Sequence, residues 1–213
     1  MVSRVSPPDR LRPARLVLLL LLIATSSSAD GIDCPRRARA VGAGPPEGFK
    51  QWCEDKKGVQ QGPSVGWDSE GRRRIEAHFK DGRLHGLYRT WHENGQLAEE
   101  IPYRRDDKHG TVRLWYASGQ VFSEQEFEEG ERHGRSAEWY DNGQLRFEEH
   151  WVEGRKQGKA ISFYRNGNKQ AQGEFRNGRF HGTWTGWHED GSRAKVAVFV
   201  EGRKTDETVF DAQ

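Results

Sequence analysis

Residues 127–139 read FEEGERHGRSAEW, and the same order of aromatic, glycine, His-Gly and aromatic returns in FKDGRLHGLYRTW (79–91) and FRNGRFHGTWTGW (175–187). The intervals are whole steps of a 24-residue period that Gly62, Gly86, Gly110, Gly134, Gly158 and Gly182 keep without an insertion. An aromatic stands five residues after each of these glycines (Trp67, Trp91, Trp115, Trp139, Phe163, Trp187) and another seventeen after (Phe79, Tyr103, Phe127, Trp151, Phe175, Phe199). A second glycine follows at nine (Gly71, Gly95, Gly119, Gly143, Gly167, Gly191); at twenty stand Gly82, Asp106, Gly130, Gly154, Gly178 and Gly202. A fixed period of this length is the mark of a stacked repeat architecture.

Within one period the residues alternate as a half-buried strand does: Leu145, Phe147, Glu149 and Trp151 fall on one face, Arg146, Glu148 and His150 on the other. The Asn-Gly pairs at 94–95, 142–143 and 166–167 read as tight hairpin turns with positive φ. The expected fold is all-β, an elongated antiparallel β-meander of six 24-residue hairpin repeats over residues 58–202. Downstream of residue 29 the chain has 19 Ile, Leu and Val against 23 Phe, Tyr and Trp, so ladders of aromatics must do the burying that aliphatics do elsewhere.

At the amino terminus four arginines precede the apolar run Leu16–Ala24, and Ser27 and Ala29 stand where a signal peptidase wants small residues. Nine apolar residues are too few to span a bilayer as a helix, which takes about 20. Residues 1–29 are therefore expected to be a removed signal peptide and the protein to be exported, to the periplasm, the cell surface or the medium. Without that segment 30 basic residues face 31 acidic ones, a balance that gives no footing for nucleic acid. The two cysteines, Cys34 and Cys53, are expected to form a disulfide in an oxidising compartment and to pin residues 30–57 as an amino-terminal cap. Residues 203–213, which lose the phase, are expected to be the other cap or tail.

The stretches quoted above resemble the variant membrane occupation and recognition nexus (MORN) repeat of the YwqK antitoxin-like family over about residues 58–202. The resemblance implies a non-enzymatic binding or scaffolding role with varied partners. In an exported chain, its antitoxin aspect implies neutralisation of, or attachment to, something outside the cytoplasm. A membrane-associated role is its second implication.

Chemistry is sparse. His85, His109, His133 and His181 share a phase, but equivalent residues of successive hairpins lie about 9.6 Å apart, too far to share one zinc ion. No metal or cofactor is expected, and a hydrogen bond holding the turn between hairpins is the role expected of these histidines. Gly62–Gly66 (GPSVG) matches a nucleophile elbow in letters, without the strand-to-helix context that makes Ser64 reactive. The many glutamates, Glu99, Glu100, Glu148 and Glu149 among them, are expected on a solvated face.

Two binding surfaces remain. Trp67, Trp91, Trp115, Trp139 and Trp187 form a ladder that is either core or the anchor for a protein partner. Arg83, Lys108, Arg132, Arg155, Lys156, Arg179, Arg203 and Lys204 are expected on one row of turns, a basic edge suited to anionic lipid or envelope polysaccharide or to preventing edge-to-edge aggregation.

Overall fold

A computed structural model describes residues 31–211; the expected signal peptide lies outside the described residues. Every regular element among them is a strand: β1 (Arg39–Ala43), β2 (Lys50–Glu54), β3 (Gln60–Trp67), β4 (Arg73–Lys80), β5 (Arg83–Trp91), β6 (Leu97–Arg104), β7 (Asp107–Lys108), β8 (Gly110–Trp115) and β9 (Val121–Glu128). The series continues with β10 (Glu131–Trp139), β11 (Leu145–Val152), β12 (Arg155–Lys156), β13 (Gly158–Phe163), β14 (Lys169–Arg176), β15 (Arg179–Trp187), β16 (Arg193–Val200) and β17 (Arg203–Val209). β7 and β12 are the first residues of strands that resume as β8 and β13, and with each couple counted as one strand, every strand pairs antiparallel with the next. The result is the expected open meander, a single sheet with β1 at one edge and β17 at the other.

Two rows of turns flank the sheet, and their chemistry is the reverse of what the Asn-Gly pairs predict. At Asp81–Gly82, Arg105–Asp106, Glu129–Gly130, Glu153–Gly154, Asn177–Gly178 and Glu201–Gly202 both residues have positive φ, the two-residue turn that follows strand twist. In the opposite row only the glycine is left-handed: Gly95, Gly143 and Gly167 have φ of 84°, 84° and 89°, while the preceding asparagines do not. These are wider loops closed by a left-handed glycine, with Gly95 N–H donating to His92 O at 3.0 Å and His92 N–H to Gln96 O at 2.8 Å. The asparagine is free to do something else: Asn94, Asn142 and Asn166 each donate from Nδ2 to a carbonyl 23 residues on, tying successive loops together.

Asp106, the one departure from glycine in the first row, carries φ of 75°. Its carboxylate accepts the Leu84 N–H at 2.7 Å, a bond no glycine could supply, and this offsets the backbone cost.

The His-Gly pairs are not at a turn. Arg132 pairs with Phe127 and Ser136 with Gln125, so β10 bulges at His133–Gly134, where Gly134 has φ of 86°. The expected histidine hydrogen bond is not made at His109 or His181, whose Nδ1 atoms are buried without a partner, and His133 Nδ1 stands 3.7 Å from Glu128. The two glutamines at this phase do bond to the neighbouring turn, Gln61 to Asp81 and Gln157 to the Asn177 N–H.

Cys34 and Cys53 are joined, as expected for an oxidising compartment, and Pro35 is pressed against Gly62 of the first repeat. On the other face of this end, Gly44 lies under the Trp67 ring. At the carboxyl end the phase persists through the Glu201–Gly202 turn, and Arg203–Val209 forms a further strand, β17. The buried apolar residues are few and mostly small (Cys53, Val65, Ala77, Ile101, Val112, Ala137, Ala160, Ala197), and both aromatic ladders are half-buried.

Replacing Cys34 and Cys53 by serine opens a loop of about 20 residues and should cost about 3 kcal/mol, read as a lower Tm. Asp106→Ala keeps the left-handed backbone and loses the Leu84 bond; it should cost about 1 kcal/mol, with Asp106→Gly milder.

Candidate functional site

The strand alternation gives the sheet two unlike faces. On the first, one charge alternates across six strands. Arg89 Nε donates to Glu100 at 2.8 Å, Arg113 reaches Glu100 at 3.9 Å and Glu124 at 2.9 Å, and Arg135 reaches Glu124 at 3.6 Å and Glu148 at 2.7 Å. Glu100 and Glu124 are thus paired on both sides rather than merely solvated, and Glu148 on one; the ladder ends where Ile161 stands next to Glu148 on β13.

The tryptophan ladder runs along this charge-ladder face near the loop row. Trp139 shares a shallow cleft with Glu124 and Val121, and Trp187 lines another with Thr183, Thr185 and Gln172. Trp67, Trp91, Trp115, Trp139 and Trp187 are all half-buried. Cations lie over three of the rings: Arg73 over Trp91 at 5.8 Å, Arg135 over Trp139 at 5.6 Å and Lys169 over Trp187 at 5.6 Å. A tyrosine follows three of the ladder aromatics and bonds to the next unit: Tyr116 OH to Trp139 O, Tyr140 OH to Phe163 O and Tyr164 OH to Trp187 O, at 2.8, 3.0 and 2.8 Å. Sequence reading missed these tyrosines, although their place directly after the ladder was the available signal.

The second face carries the other aromatic row, and here the basic edge divides. Arg83, Arg155, Arg179 and Arg203 are exposed beside the two-residue turns. Lys108, Arg132, Lys156 and Lys204 alternate with them and pair across the strands with Tyr103, Phe127, Trp151 and Phe199. Three sit over rings: Lys108 over Phe127 at 5.1 Å, Arg132 over Trp151 at 4.8 Å, and Lys156 between Trp151 and Phe175 at 5.4 and 5.1 Å. These cations are part of the sheet's own packing. Among the described residues, Arg155, Arg176, Arg179 and Arg203 make no ion pair, and the first three surround a cleft of about 300 Å³ with His181.

Two carboxylates lie inside the second face. Glu149, 8% exposed, accepts from Lys156 Nζ at 2.7 Å and Trp151 Nε1 at 3.1 Å. Burial pushes the Glu138 carboxyl above its ordinary value, opposed by Arg146 and Arg132 and reinforced by Glu149. Ser64 is buried in mid-strand against Ala77, without the elbow that would expose it. No group of three or more His, Cys, Asp or Glu among the described residues is placed to hold a metal ion, and no helix among them is long and apolar enough to cross a membrane.

An open β-meander of tandem hairpins with two side-chain ladders per unit defines a repeat protein. Comparison with known proteins narrows the class: residues 84–105, 108–129, 132–153 and 156–177 match the MORN repeat variant, four tandem copies. MORN repeats are generally associated with protein or membrane binding and are typically non-catalytic. No curated protein matches the chain. Among solved structures, the chain is similar to a GtfA/B complex bound to UDP and GlcNAc, at 14% identity over 67% of this chain, with a TM-score of 0.23. The chain spans 25% of that protein's length, and a likeness at this score carries no functional argument.

The raised pKa of Glu138 means that its ionisation opposes folding. That cost is absent below the ordinary value of 4.5 and grows as pH rises through the higher folded value. Glu138→Gln should therefore raise Tm at pH 7, with the gain vanishing below about pH 4 in a thermal-melt series.

Proposed function

We propose that this chain is an exported, non-enzymatic module that binds another protein through its charge-ladder face, in the manner of an immunity or antitoxin-like protein acting outside the cytoplasm. The observation that carries the reading is the composition of that face. Trp91, Trp115, Trp139 and Trp187, with Arg89, Arg113 and Arg135 between, are the residue types that dominate interface hot spots. Their rigid spacing, set by the loop-to-loop hydrogen bonds, pre-organises the surface and lowers the entropic cost of docking. Among the described residues the sheet is a single layer, and a partner laid on this face supplies a second.

Unpaired Arg155, Arg176, Arg179 and Arg203 favour a second reading, attachment to anionic lipid or envelope polysaccharide at the carboxyl-terminal half of the turn row.

The deciding experiment is crosslinked capture from the native envelope with the disulfide-intact chain, its Trp115→Ala and Trp139→Ala variants, and an Arg155, Arg176, Arg179 triple-glutamine variant. One protein recovered by the unaltered and triple-glutamine baits, and lost from a tryptophan variant of unchanged Tm, is the expected result. Tryptophan variants that melt early yet keep the partner assign the ladder to the core. Salt-sensitive sedimentation with anionic vesicles, abolished by the triple substitution, establishes the second reading instead.

A further inference from the structure

Trp184 breaks the repeat. Its phase is held in the other units by Ser64, Tyr88, Val112, Ser136 and Ala160. On the adjoining strand β14, where other units carry Ala77, Ile101, Gln125, Glu149 and Ala197, stands Gly173. The two exceptions belong together: a Cβ on Gly173 would lie 2.2 Å from Cδ2 of Trp184, so the indole lies face-down on the bare backbone. Gly173 is there for room, since its φ lies outside the left-handed region.

The ring is fixed in that pose. Its Nε1–H donates to Glu174 O at 3.0 Å, and Phe175 and Phe180 stand edge-on to it at 5.1 and 4.7 Å, with interplanar angles of 74° and 85°. Phe180 is 42% exposed. Small residues hollow the sheet on both sides: a cleft of about 260 Å³ floored by Ala160 and Ala171 lies on one side, and one of about 290 Å³ floored by Gly186 and Ala197 on the other. Each cleft is bordered by a lysine and a carboxylate, Lys156 with Glu149 in the first and Lys195 with Glu207 in the second.

We infer that Trp184 is the stacking platform of a saccharide site on this face, for a linear glycan joined by equatorial linkages. A pyranose with equatorial substituents turns a flat array of C–H groups to one side and a rim of hydroxyls outward. The immobile indole takes the first, and the lysines and carboxylates of the flanking clefts take the second. A lipid chain would cover Lys195, which makes no ion pair among the described residues, and offer it no acceptor. A closed pocket, the usual seat of a side-chain anchor, is not what a ring lying flat on the sheet provides. The chain of sugars crosses the strands, one residue over Trp184 and its neighbours in the two clefts. The site lies on the face opposite the proposed protein contact and does not depend on it.

The test is a titration of the full, disulfide-intact, ¹⁵N-labelled protein with cellohexaose, and with maltohexaose as the axially linked control. The Trp184 indole resonance is identified by its loss in Trp184→Phe. Cellohexaose should shift that resonance and bind at least about tenfold more tightly than maltohexaose, and Trp184→Leu should weaken binding by about tenfold or more. Lys195→Ala, at an exposed position, should weaken binding about threefold at unchanged Tm. Gly173→Ala, which lifts the ring without touching the sugar, should also weaken it. An unmoved Trp184 resonance, an equal response to maltohexaose, or full affinity in both Trp184→Leu and Lys195→Ala overturns the inference.

Discussion

Among the described residues the sheet is one layer thick, and with no facing layer there to hold its strands in register, hydrogen bonds between successive turns reinforce the strand ladder. In the two-residue row, the second turn residue donates its N–H to a carbonyl of the preceding unit, from Gly82 to Gln60, Asp106 to Leu84, Gly130 to Lys108, and so on to Gly202 and Phe180, at 2.8–3.0 Å. In the loop row, asparagine and tyrosine side chains make the equivalent link. The constraint that follows is strict. A strand displaced by one residue would present every side chain to the wrong face, and the two rows together forbid it. The 24-residue step, with its bulges, returns each phase to the same face in every unit, so side chains of one kind stack into continuous ladders.

This explains how an aliphatic-poor chain builds a stable sheet. On one face the ladder is ionic, with Arg113 and Arg135 each between two carboxylates; on the other it is aromatic, with cations laid over rings. Isolated surface pairs contribute little, but a network whose members are held by a rigid backbone is the arrangement in which ion pairs do contribute. The aromatic rows are only half-buried, and cross-strand contact takes the place of enclosure.

The sequence carries the period, the hairpins, the strand faces and the disulfide openly, because glycine spacing and alternation are local signals. What it hides are features that depend on which of two similar local geometries wins. Asn94-Gly95 and Glu129-Gly130 are both turn-forming pairs, and only the backbone shows that the second is the one with two left-handed residues. His133-Gly134 looks like a turn and is a bulge, because the strand continues through it to Trp139. The charge ladder is invisible to period counting: Arg89 and Arg113 share a phase, but Ala137 occupies the next position and Arg135, diagonal to Glu148, takes over. The basic edge was legible as composition, while its division between two faces follows from strand alternation at Arg155–Lys156.

The covalent latch at Cys34–Cys53 has a mechanical meaning. Load applied to the two ends of this sheet would act on hairpins in series, opening each pair of strands from the side as a zipper opens, so that resistance is met one unit at a time. The last strand, β17, is exposed along its whole length and would part first, whereas the strands beside the latch are held by a bond that peeling cannot break. The two edges of the sheet therefore differ under load: the carboxyl edge would lengthen by whole hairpins while the remainder stays folded, and the loop closed at Cys34–Cys53 would not extend.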